Sequence, residues 1–71
     1  MDRTTRGICK TLSQVADNNE AAAIAVMRAA ETVGDELLRQ QLHNVIHRLN
    51  LDACQLRFAR EELAGQGLKR A

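Results

Sequence analysis

Proline is missing from this chain, and Phe58 is its only aromatic side chain. Without proline nothing imposes a kink or a rigid turn, so long uninterrupted helices are allowed. With a single ring there is no platform on which nucleic-acid bases could stack. Two cysteines, Cys9 and Cys54, make neither a disulfide framework nor a C-x-x-C metal site. The longest apolar run, Ala21 to Met27, is far short of the roughly 20 residues needed to cross a bilayer. Neither sign of charge is in excess: the formal net charge is +1, which argues for neither a nucleic-acid binder nor an acidic decoy. Strand signals are absent too, with no β-branched alternation and no Asn-Gly or Asp-Gly pair. The first ten residues hold no apolar core of the signal-peptide kind, so the expectation is reduced thiols in an unexported, cytoplasmic protein.

What remains is helix-forming. Alanine, leucine, glutamine, arginine and glutamate dominate, which points to an all-α fold in one domain spanning residues 1–71. The clearest punctuation is Thr32-Val33-Gly34-Asp35-Glu36-Leu37. Gly34 is expected to end one helix in the left-handed conformation, and Asp35 to cap the next, with Glu36 in its positive first turn. A start at Thr4 or Thr5 and a stop at Ala64-Gly65-Gln66-Gly67 then give helix one over about 5–33 and helix two over about 36–64. Residues 65–71 are left as a flexible basic tail. Two helices of about 43 Å joined by a short turn make an antiparallel hairpin.

Helix one carries a stripe of Ile8, Leu12, Val15, Asn19, Ala22, Val26, Ala29 and Val33, widened by Ala16, Ala23 and Ala30. Helix two carries Leu38, Leu42, Val45, Leu49, Ala53, Leu56 and Leu63, with Ile46 on its flank. Small residues on the first helix face large ones on the second, as in coiled coils. Asp17-Asn18-Asn19-Glu20 has the form of a capping box, which offers a three-helix alternative with a break near Asp17–Glu20. The stripe stays in phase across it, so one continuous helix is favoured, with Asn19 either at a register-setting core position or facing solvent.

A hairpin this small has a thin core. A homodimer forming a four-helix bundle is the expected remedy, with Leu12, Val15, Asn19, Val26, Leu38, Leu42, Val45, Leu49 and Leu56 as core and dimer residues. That architecture is similar to the ROP bundle in topology and size; no motif residues are shared, so no function is carried across. A second apolar face is left over. Leu51, Cys54 and Phe58 lie about 140–200° from Leu49 around helix two, near Leu37 and His47. This face has three readings: the dimer seam, a site for a different protein, or scattered surface residues.

The polar residues are weighed against chemistry. His43 and His47, at i and i+4 with Cys54 two turns on, are candidate metal ligands, but no fourth ligand completes the set within one chain. Cys9 and Cys54 are about five residues out of step for an intrachain disulfide. Ser13 has no adjacent histidine, Glu61 and Glu62 point to different faces, and there is no phosphate-binding loop, so no enzyme and no cofactor is expected. The open end of the hairpin gathers Arg3, Arg6, Lys10, Arg57, Arg60, Lys69 and Arg70 against Asp2, Glu61 and Glu62. The favoured reading is a non-enzymatic helical homodimer that binds another protein through Leu51, Cys54 and Phe58, framed by His47, Arg57 and Glu61. It would act as a regulator, antagonist or adaptor. The alternative is an RNA- or DNA-associating dimer with Arg3, Arg6, Lys10, Arg60, Lys69 and Arg70 as candidate phosphate contacts. No membrane partner is expected.

Overall fold

The computed structural model describes the backbone of residues 2–69 and the side chains of residues 2–65. Two helices, α1 (Arg3–Ala30) and α2 (Glu36–Lys69), pack against each other along a rod 55 Å long. Among the described residues there is no strand. No described helix is long and apolar enough to cross a membrane.

α1 runs unbroken through Asp17–Glu20, so the three-helix alternative does not occur. The capping-box carboxylates turn outward to another partner, Arg57, described below. The start of α1, at Arg3, lies one or two residues earlier than the threonines suggest. Asp2, with extended backbone, accepts a hydrogen bond from the Thr5 N–H at 2.6 Å. A carboxylate at this position satisfies an otherwise unpaired donor and meets the positive end of the helix.

The turn corrects a second expectation. Gly34 has no positive φ, and nothing lies within 4 Å of where a Cβ would stand. α1 instead tightens as it ends: the Thr32 and Val33 amides donate to the Ala29 and Ala30 carbonyls, and the Thr32 hydroxyl also donates to Ala29. These short-range bonds satisfy the last carbonyls without a left-handed residue. The Arg39 guanidinium then donates to the Val33 carbonyl at 3.0 Å, tying the turn to α2. Asp35 caps α2 as expected, its carboxylate accepting from the Leu37 and Leu38 amides at 2.9 and 3.1 Å. At the far end, α2 continues through Gly65 and Gly67 to Lys69, so residues 65–69 are helical and not a tail. Glycine weakens a helix by about 1 kcal/mol, but with no proline and no left-handed residue required, it does not end one. Arg70 lies outside the described residues.

The seam between the helices is set by two interleaved heptads. Cys9, Ala16, Ala23 and Ala30 are buried at every seventh position of α1. Thr5, Leu12, Asn19 and Val26, half-buried, fill the alternate positions, and Val33 of the turn continues their row. α2 answers with Leu42, Leu49, Leu56 and Leu63 at one position and Arg39, Ile46, Ala53 and Arg60 at the other. The Cys9 thiol donates to the Arg60 carbonyl at 3.9 Å, and Arg39 reaches Val33. The Cys9 contact brings Ala16 near the level of Ala53, Ala23 near Ile46 and Ala30 near Arg39, with the leucines between these levels. Small residues let the helix axes approach while leucines fill the space beside them.

The seam is therefore displaced from the stripe drawn through the largest residues. Ile8 and Val15 stay 46 % and 41 % exposed, and Leu38 and Val45 lie equally outside. Ile46 moves from flank to seam. The reason is steric: a line through the alanines brings two backbones closer than a line through Ile8 and Val15 could.

Two sets of substitutions test this geometry by urea unfolding at one fixed protein concentration. Gly34→Ala and Gly7→Ala are each expected to stabilise by about 0.4–1 kcal/mol, since both sites have room for a Cβ and no left-handed backbone. Ala23→Leu is expected to destabilise by about 1–3 kcal/mol through overpacking of the seam.

Candidate protein-contact surfaces

With alanines at the centre of the seam and leucines beside them, a further set of bulky apolar side chains, among them Ile8, Val15, Met27, Leu38, Val45, Leu51 and Phe58, is left exposed. They fall on three distinct surfaces. The first is the side of α2 turned away from α1. His47, Leu51, Cys54 and Phe58 follow one another at spacings of four, three and four, which keeps them on one helical face. Leu51 is 49 % and Phe58 67 % exposed, and His47 and Cys54 are exposed beside them. Leu37 continues this side towards the turn.

Arg57, grouped with this face in the sequence, turns the other way. Its guanidinium donates to the Asp17 carboxylate at 2.8 Å and to Glu20, clamping α2 to α1. Hydrogen bonds to Asp17 and then to Glu20 raise its pKa above that of an ordinary arginine. Glu61 is exposed and accepts from Arg60 at 2.6 Å. The clamp also changes the basic end. Arg57 is committed to α1 and Arg60 is half-buried against Glu61, which leaves Arg3, Arg6 and Lys10 as its described cations. The side chains of Lys69 and Arg70 lie outside the described residues.

The second surface is the flank of α1 that carries Ile8, Val15, Ala22 and Ala29 at seven-residue spacing. Along it and the adjoining row, through positions 4, 8, 11, 15, 18, 22, 25 and 29, α1 has no charged residue. Its charges, including Arg6, Lys10, Asp17, Glu20 and Arg28, lie elsewhere around the helix. Asn19, Asp52, Gln55 and Leu56 border one opening between the helices. That places the Asp52 flank of α2, with Leu38, Val45 and Ala59, on the same side as the uncharged flank of α1. The Arg57 clamp closes the opposite side.

The third surface, on the clamp side near the turn, is an open depression lined by Met27, Ala30, Glu31, Arg39 and His43. His43 faces it while His47 stands on the outer face. Among the described residues no three His, Cys, Asp or Glu side chains gather where a metal could bind. Both cysteines are thiols, Cys9 buried in the seam and Cys54 exposed.

Two structural roles escape a reading by hydropathy. Arg39 and Arg60 occupy seam positions, and only their three-and-four spacing from Leu42, Ile46, Leu56 and Leu63 marks them. Asp17 and Glu20 look like a cap because a capping box and an interhelical clamp both use acids near each other in sequence. A comparison of the chain with protein-family models, with curated proteins and with solved structures returns no match in any of the three.

The clamp is tested by charge reversal. Arg57→Glu should lower the thermal midpoint, and combining it with Glu20→Arg should recover part of the loss. Both effects should shrink in high salt, because the pair is partly exposed and therefore screened.

Proposed function

We propose that this protein works by contact and not by catalysis: a helical homodimer whose outer α2 face binds another protein, so that it acts as a regulator, antagonist or adaptor. The observation that carries this reading is the exposure of Phe58, with Leu51 one heptad away, on the side of α2 that α1 does not cover. Burying such a ring in a partner removes apolar area worth about 1.5–3 kcal/mol. The spacing of Leu51, Cys54 and Phe58 suits a partner that offers an apolar groove with a slot for an aromatic ring. The nucleic-acid alternative draws less support, because Arg57 and Arg60 are engaged with carboxylates and Phe58 is the only aromatic.

The test compares tagged wild type with the Leu51→Glu/Phe58→Glu variant in affinity capture with mass spectrometry. Far-ultraviolet circular dichroism should show equal helicity in the two proteins. A protein held by wild type and lost from the variant supports the reading, and Phe58→Ala alone should then weaken that complex by about 2 kcal/mol or more. Identical capture by both proteins would rule out this face. A gel shift that weakens steeply with salt would favour the alternative through Arg3, Arg6 and Lys10.

A further inference from the structure

The uncharged flank has a surface problem that the outer face does not solve. The chain exposes 5580 Å², whereas a globular monomer of 7.9 kDa exposes about 4,400 Å². The excess, about 1,200 Å², exceeds the about 800 Å² per partner that a standard protein interface buries. Its buried apolar residues are all small, namely Cys9, Ala16, Ala23, Ala30 and Ala53, and among the described residues no large side chain is fully buried. A chain of this length with so thin a seam needs another source of burial.

We propose that a second copy of this chain supplies it by seating on the flank formed by Ile8, Val15, Leu38 and Val45, completing a four-helix bundle. Two observations select this surface and this occupant. The first is charge. The α1 side of the flank carries none over its length, and the α2 row carries only Asp52, so covering it desolvates fewer ions than covering the opposite side, which holds Asp17, Glu20 and Arg57. The second is shape. On α1 the bulk lies towards the open end, in Ile8 and Val15, and alanines follow towards the turn. On α2 the order is reversed, with Leu38 and Val45 near the turn and the smaller Asp52 and Ala59 towards the open end. Each helix thus offers large side chains where the other offers small ones. A two-fold copy therefore meets bulk with a smaller side chain whether α1 lies over α1 or over α2 of its mate. The outer face of Leu51 and Phe58 stays out of this seam, and the proposal stands independently of what that face binds.

Two measurements test it. In sedimentation equilibrium, wild type should run at twice the chain mass, Leu51→Glu/Phe58→Glu should remain dimeric, and Val15→Glu should run as a monomer or lose its helicity. Thiol labelling covers the case in which Val15→Glu does not fold. In a background of Cys9→Ala and Cys54→Ser, Ala22→Cys should be labelled about tenfold more slowly at high protein concentration than in dilute solution. Leu51→Cys should be labelled equally fast in both. A monomeric wild type would overturn the proposal, as would dissociation by the Leu51/Phe58 substitutions. So would Ala22→Cys labelling that is independent of concentration.

Discussion

The close approach of two helices along the alanine heptad of α1 is the constraint from which the other features follow. Cys9, Ala16, Ala23 and Ala30 are small enough to sit under the backbone of α2, and the leucine heptad of α2 fills the volume at either side. Such a seam gains shape complementarity but little buried area, because an alanine removes only one methyl group from water. The consequence is geometric. A helix has one face to give to its neighbour, and the most buried row of that face on α1 is occupied by small side chains. Ile8, Val15, Leu38, Val45, Leu51 and Phe58 are thereby placed outside.

A seam of repeated alanine and leucine has a weakness: sliding one helix by seven residues against the other restores much of the same packing. Polar groups at fixed points oppose that slip. Arg57 reaches Asp17 and Glu20 together, and a shift of one heptad would carry it past both. Arg39 does the same at the turn, where the Val33 carbonyl and Glu36 hold its guanidinium. Asn19, half-buried in the seam beside an opening it shares with Asp52 and Leu56, breaks the apolar repeat at one position. These ion pairs are partly exposed, so each adds modestly to stability. Their larger effect is on register, because an incorrectly aligned hairpin leaves Arg57 without its carboxylates.

Much of the architecture is legible from residue order, because helix propensity, the absence of proline and the Asp35 cap all point the same way. The continuity of α1 across Asp17–Glu20 follows from the unbroken phase of its apolar positions. The choice of face does not follow from hydropathy, which weights Ile8 and Val15 above Ala16 and Ala23. Packing distance reverses that order, since a methyl side chain admits a neighbouring backbone and a branched one holds it away. The ends of the helices are misread for a related reason. Gly34 and Gly65 are permissive residues, and permission to adopt a left-handed backbone is not a requirement to do so. At the turn, the Thr32 hydroxyl and the Arg39 guanidinium satisfy the carbonyls that a left-handed glycine would otherwise serve.

The distribution of exposed bulk also separates two kinds of contact. In a bundle, each helix buries its seam and one adjoining flank, while the side opposite the seam always faces water. Leu51 and Phe58 occupy that opposite side, so pairing through the Ile8 and Val15 flank neither covers them nor depends on them. Self-association and partner binding, as proposed, would therefore use non-overlapping surfaces and could be altered independently by substitution. A two-fold dimer also presents the outer face twice, at a spacing fixed by stiff helices. For a partner that is itself two-fold or repeated, the second contact then forms within an existing complex, which raises the overall affinity without any new residue. A single exposed phenylalanine is a weak anchor on its own; doubled on a rigid rod, it can hold a partner that one copy would release.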